Sequence, residues 1–163
     1  MSLTAIIRYA PELKKWKKFK TIDYAAMTEK VLMTDDYQWA ISGYRNGSVG
    51  VYKYNGLDDY QFSQMLTPSQ KSIVSLSLAS HPFYLAIAYE RNEFFIYRYA
   101  NTSFSPFQTL HFNSSTRRKV QLSHDHQHLL VAHQDGLVEV YRFGSDSFEL
   151  ALSSGDSFGW ETV

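Results

Sequence analysis

The densest cluster of side chains able to do chemistry is His124-Asp125-His126-Gln127-His128, with His133 shortly after it. Two or three imidazoles beside a carboxylate form a donor set for Zn²⁺. A second account is structural. When the chain is aligned to itself, the same place holds Asp35-Asp36-Tyr37-Gln38 and Ser80-His81-Pro82-Phe83. A position with such varied occupants reads as a solvated turn, whose polar residues are turn chemistry. No bound metal or other cofactor is expected there.

Lys14-Lys15-Trp16-Lys17-Lys18-Phe19-Lys20 sets five lysines around two aromatics. Cations interleaved with rings could hold phosphates, an acidic tail or a lipid head group. Lysines also protect an outermost strand from pairing with other molecules, and that role fits the segment's place in the pattern below. Arg117-Arg118-Lys119 is a smaller basic patch on the way into a strand. We carry Lys14, Lys15, Trp16, Lys17, Lys18, Arg117, Arg118 and Lys119 forward as candidate partner contacts.

Catalytic patterns are not evident. There is no Gly-x-Ser-x-Gly elbow, no phosphate-binding loop and no His-Glu-x-x-His pair. The pairs Asp35-Asp36 and Asp58-Asp59 are adjacent in sequence, and neighbours on an extended chain point apart. On these grounds the chain is not expected to be an enzyme.

Composition narrows the rest. Of 163 residues, 44% are hydrophobic and 16% aromatic, enough for a sizeable core and biased towards strands. Sixteen basic residues balance sixteen acidic ones, so no overall field attracts nucleic acid. Cysteine is absent, which removes disulfides and thiolate chemistry. The start lacks the apolar stretch of a signal peptide, and no run approaches the ~20 apolar residues of a membrane helix. A cytoplasmic location is expected.

The elements that would position these residues come from a repeat. Val51-Tyr-Lys-Tyr54, Ile96-Tyr-Arg-Tyr99 and Val140-Tyr-Arg-Phe143 recur with Tyr52 to Tyr97 spaced by 45 positions and Tyr97 to Tyr141 by 44. Before them come the turns Asn46-Gly47, Arg91-Asn92 and Asp135-Gly136. Ile6-Ile-Arg-Tyr9 marks an earlier copy. Each unit divides into four short strands. In the second complete unit these are Ile73–Ala79, Tyr84–Tyr89, Phe94–Tyr99 and Phe104–Phe112. The first alternates Val74, Leu76 and Leu78 against Ser75 and Ser77, the mark of a strand with one apolar face. The second is apolar throughout, as for a strand covered on both faces. The fourth carries Pro106, which an edge strand tolerates.

Four-stranded meanders with two greasy faces must stack on one another, and a period of ~40–45 residues is that of β-propeller blades. "AISGYRNGSVGVYKY" (Ala40–Tyr54) and "SIVSLSLASHPFYLAIAY" (Ser72–Tyr89) resemble the WD-repeat family, and "LSHDHQHLLVAHQDGLVEVYRF" repeats both patterns. Tyr52, Tyr97 and Tyr141 stand where that family has Trp, and Lys53, Arg98 and Arg142 where it has Asp. No Gly-His pair precedes the first strands. The resemblance therefore implies the blade architecture without the family's buried Asp-His-Ser-Trp network.

The expected fold is all-β, an incomplete β-propeller or part of one. Residues 1–22 end one blade, 23–66, 67–110 and 111–152 form three more, and 153–163 begin another or form a tail. Beginning within a blade favours part of a longer propeller, with completion by a second copy as the next possibility. The resemblance implies an interaction scaffold that meets a protein or peptide partner through rim and loops. A structural place in a large assembly is the alternative, and a propeller enzyme with a metal or acid/base group ranks below both. The repeat also aligns Tyr44, Tyr89 and His133 at the end of each second strand, by the rim, as further candidate contacts. Packing between blades is the competing role for these rings.

Overall fold

The computed structural model describes residues 2–10, 15–24, 26–56, 59–79, 84–91, 93–112 and 118–154, with side chains from residue 26 onward apart from Arg118. Every regular element among them is a strand. The chain divides into two compact units, Met1–Ile73 and Val74–Val163.

In the first unit, β1 (Ser2–Ala10) and β2 (Lys15–Tyr24) form an antiparallel pair. β3 (Thr28–Met33), β4 (Trp39–Tyr44), β5 (Val49–Tyr54) and β6 (Tyr60–Leu66) form a four-stranded antiparallel meander. All six residues of β4 are buried. The turn from β4 to β5 is built by Asn46, whose Oδ1 accepts from Ser48 N at 3.1 Å and Ser48 Oγ at 2.6 Å. Gly47 holds φ +84° there, and a Cβ on it would strike Ser69 O and come within 2.7 Å of Lys71 O. Both facts demand glycine. Ala40, Tyr52 and Tyr60 form a small core with Tyr54 against it.

In the second unit, β7 (Ile73–Ala79), β8 (Tyr84–Tyr89), β9 (Glu93–Ala100) and β10 (Ser103–His111) form one meander. β11 (Arg118–Leu122), β12 (His128–His133), β13 (Val138–Phe143) and β14 (Phe148–Ser153) form the next. Their core joins Tyr84, Ala86, Ala88, Phe94 and Ile96 of one sheet to Val120, Leu122, Leu129, Val131, Tyr141 and Phe148 of the other. Burying the Val, Leu, Ile and Phe side chains among them contributes ~1.5–3 kcal/mol each.

Polar side chains also join these two sheets. Ser75 Oγ accepts from Val120 N at 3.2 Å, and Ser77 Oγ accepts from Leu122 N at 2.8 Å. β11 is the first strand of its sheet, so these donors find no partner within the ladder. On the far side Gln108 makes both bonds of an amide pair: Nε2 donates to Phe148 O at 2.9 Å, and Oε1 accepts from Phe148 N at 2.8 Å.

Each four-stranded sheet has a bulge at the same place. The registers skip Ser63, Phe107 and Ala151, spaced by 44 and 44. A bulge adds twist and re-aims a side chain. Phe107 uses it to reach Tyr84, with ring centroids 5.2 Å apart.

The four-strand repeat follows the expected pattern, and the strand bounds shift by no more than a residue in the second complete unit. Three details differ. Ser77 is buried and Ser75 half-buried, because both meet backbone donors of the next sheet rather than water. β12 buries Leu129, Val131 and His133 but leaves Leu130 exposed, so it is covered on one face. Positive φ falls on Arg91 in the β8–β9 turn, whereas Gly47 and Gly136 carry it in the other two. Of the further blade or tail expected at 153–163, residues 155–163 lie outside the described residues.

Candidate functional site

The histidine cluster is a turn with a defined architecture. Ser123 Oγ donates to Asp125 Oδ1, the same oxygen accepts from Gln127 N at 3.0 Å, and His128 N donates to Ser123 Oγ at 3.0 Å. The β3–β4 turn repeats every step. Thr34 Oγ1 donates to Asp36 Oδ1 at 2.5 Å, Gln38 N donates to Asp36 Oδ1 at 2.9 Å, and Trp39 N donates to Thr34 Oγ1 at 3.0 Å. Tyr37 and His126 take the same left-handed conformation, with φ 58° and 61°. The chemistry shared by the two turns is thus hydroxyl, carboxylate and amide; His128 Nδ1 lies 3.7 Å from Asp125 Oδ2, and His126 is buried. The bonds from Ser123 and Gln127 hold the Asp125 carboxyl below its ordinary range. No group of three or more metal-ligating side chains gathers among the described residues.

Tyr44, Tyr89 and His133 end β4, β8 and β12, as the repeat requires, and all three are buried. Each meets the strand that follows. Tyr44 OH lies 2.8 Å from Tyr52 OH, and a Cβ at Gly50 would approach Tyr44 OH to 2.9 Å, so glycine makes room for the two rings. Tyr89 stacks edge-on against Phe95 at 5.9 Å. Burial raises the Tyr89 hydroxyl far above its ordinary range, with Tyr97 and Glu93 adding to it.

The third copy replaces aromatics with an ionisable pair. His133 Nε2 lies 2.8 Å from Glu139 Oε2, and Tyr141 OH donates to the same oxygen at 3.4 Å. Phe112 packs edge-on against both His133 and Tyr141. Glu139 sits where the earlier units have Phe95 and Gly50, and its partnership with His133 escaped the sequence reading. The signal was a carboxylate at a position otherwise apolar.

The basic candidates are divided. Lys15, Trp16, Lys17 and Lys18 lie in β2, opposite Ala10, Tyr9, Arg8 and Ile7. Arg118 opens β11 opposite His133, and Lys119 is exposed opposite Ala132. Lys14 and Arg117 lie outside the described residues. The structure brings Arg118 and Lys119 to the strand beside His133.

No protein-family model matches the sequence, and no curated protein matches it significantly. Solved structures do match the fold. The periplasmic gluconolactonase PpgL of Pseudomonas aeruginosa superimposes with TM-score 0.71 at 16% identity, over 93% of this chain and 48% of that one. The Myceliophteria thermophila Cps50 (Swd1) beta-propeller domain gives 0.62 at 14%, over 76% and 38%. A chain of a mitotic checkpoint complex gives 0.68 at 15%, over 94% and 48%. The four-stranded sheets are β-propeller blades. The chain spans about half the length of these propellers or less. The likeness to WD-repeat proteins holds at the level of fold.

One expectation is overturned. The absence of sequence motifs argued against an enzyme, yet a gluconolactonase shares this fold. One fold can host unrelated functions whose site residues are brought together in space, so the absence of a contiguous motif excluded nothing.

Proposed function

We propose that this chain is a protein-interaction propeller segment that presents blade turns and loops to a protein or peptide partner. The observation that carries this reading is rigid display. The turns at Thr34–Trp39, Tyr44–Ser48, Ser123–His128 and His133–Leu137 are each pinned by an Asn or Asp side chain bonded to backbone N–H groups. Such turns bind without a large ordering cost. A mitotic checkpoint complex among the matching structures supports a place in a multi-protein assembly. A partner of the second unit meets the turns supported by Tyr89 and His133, where Lys119, with Arg117 and Arg118, supplies positive charge, and the turn supported by Tyr44 is a candidate contact of the first unit. Lys15, Trp16, Lys17 and Lys18 of β2, with Lys14 preceding them in the sequence, form a second basic contact.

The test is affinity capture with the whole chain against its reversed-charge variants Arg117→Glu, Arg118→Glu and Lys119→Glu. A partner held by the parent and released by the variants, at unchanged melting temperature, is expected. Equal capture by all forms removes these residues from the contact.

A second reading follows from the gluconolactonase likeness: hydrolysis of a small lactone. Turnover of a sugar lactone above the uncatalysed rate, measured with and without added divalent cations, would support it, and background rates in both would end it.

A further inference from the structure

The outer strand of each four-stranded sheet meets a cation on the strand beside it. Across β13 and β14, Arg142 pairs with Glu149. Across β9 and β10, 44 positions earlier, Arg98 pairs with Ser105. Across β5 and β6 the pair is Lys53 with Gln61. Directly paired residues of an antiparallel ladder carry their side chains on one face, close enough to interact. The last sheet therefore sets a permanent carboxylate opposite its arginine, and the middle sheet sets a hydroxyl at the same place. Phosphorylation is the modification that turns such a hydroxyl into an anion.

The surroundings of Ser105 suit an acceptor. Ser105, Pro106 and Arg98 are all exposed. Ser105 Oγ donates to the Arg98 carbonyl at 3.4 Å, a long bond that is easily exchanged. Among the described residues no ion pair engages the Arg98 guanidinium. β10 is the edge of its sheet, Pro106 has no N–H to give the ladder, and the register skips Phe107 directly after it. The hairpin that leads into β10 is strained as well. Asn101 and Thr102 hold φ of 50° and 78°, and a branched side chain is poorly suited to that region. An edge strand with these features opens more readily than an inner one, which gives a modifying enzyme an extended segment to grip. Thr67 also precedes a proline, but it lies past the end of β6, outside the register that pairs β6 with β5.

We propose that Ser105 is a phosphorylation site and that Arg98 receives the phosphate, bracing the outer edge of the middle sheet. A protein kinase supplies the reaction. Ser105 Oγ attacks the γ-phosphorus of a nucleoside triphosphate, and an O–P bond forms. The bridging P–O bond to the β-phosphate breaks, the nucleoside diphosphate leaves, and the hydroxyl proton passes to the carboxylate base of the kinase. The product carries about −1.5 to −2 charge at neutral pH and three acceptor oxygens, which a guanidinium meets as a fork.

The test treats the whole chain with ATP, Mg²⁺ and a kinase that acts on Ser-Pro steps, and tandem mass spectrometry places the phosphate. All forms carry Thr67→Ala, so that Ser105-Pro106 is the one such step left. Phosphate is expected on Ser105, and Pro106→Ala should lose it. The phosphorylated chain should melt about 2–4 °C above the untreated one, and phosphorylated Arg98→Gln should show no rise. Ser105→Glu against Ser105→Gln reads the same contact without a kinase. The carboxylate, which copies Glu149, should melt higher than the amide when Arg98 is present and not when it is Arg98→Gln. Circular dichroism confirms the strands of each variant. Should Arg98→Gln lose them, Arg98→Lys takes its place and should keep only part of the rise. A chain that takes no phosphate on Ser105, a phosphorylated chain that melts no higher, or a rise indifferent to Arg98 would each overturn the proposal.

Discussion

Ser77→Ala isolates a single oxygen that joins two blades. In the parent, Ser77 Oγ accepts from Leu122 N at 2.8 Å, and both residues are buried. Alanine removes the acceptor and little else. It keeps the Cβ and lowers polarity, so hydrophobic transfer slightly favours the variant. Any loss of stability must therefore come from the stranded N–H. A buried donor left without a partner costs about 1–3 kcal/mol. Ser75→Ala is the internal control. Its bond to Val120 N is longer, at 3.2 Å, and Ser75 is half-buried, so water can replace it. Its expected cost is the ordinary net worth of a hydrogen bond, about 0.5–1.5 kcal/mol. Urea denaturation followed by far-ultraviolet circular dichroism reads both, as midpoint shifts at constant slope. Ser77→Thr, which keeps a hydroxyl on a strand-compatible side chain, should recover much of the loss. The reasoning fails if Ser77→Ala lies within the ~0.5 kcal/mol scatter of surface substitutions, or if Ser75→Ala costs more.

Gln108→Leu copies the residue found at Leu152 and strands both Phe148 N and Phe148 O, so a loss of about 1–3 kcal/mol in the same denaturation assay is expected. Gly47→Ala must hold a left-handed φ of +84° and push against the Ser69 and Lys71 carbonyls, so it should cost more than the ~1–2 kcal/mol of the conformation alone, read as a lowered melting temperature. Tyr89 should stay un-ionised through moderately alkaline pH, and ultraviolet difference titration of Tyr89→Phe against the parent should show no tyrosinate missing in that range. The Asp125 carboxyl is held low in the folded chain, so its turn is fully stabilised above the ordinary carboxylate value and loosens as pH falls through the lowered one; the Gln127 amide resonance should move over that acidic interval and remain steady at neutral pH.

Much of the architecture was legible in the chain itself. A period of 44 to 45 positions runs through the three four-stranded sheets among the described residues, whose strands follow the pattern of the repeat. Asn46-Gly47 was readable as a turn because only a short amide and a residue without Cβ suit that backbone. The recurrence of Asp36 and Asp125 at equivalent turns also lies within reach of self-alignment, and it correctly placed the histidines between β11 and β12 as turn residues.

The partners of polar side chains were decided only by tertiary structure. Alternation along β7 distinguished Ser75 and Ser77 from their apolar neighbours, yet it could not tell water from the backbone of another sheet. That distinction depends on a strand 45 positions away, whose donors point out of their own ladder. Glu139 likewise stands at a position that is apolar in the other copies, and only folding set it 2.8 Å from His133. Periodicity records which face of a strand a residue occupies. What stands opposite that face is set by how sheets pack, because hydrogen bonding and burial act over a few ångströms in space and are blind to distance along the chain.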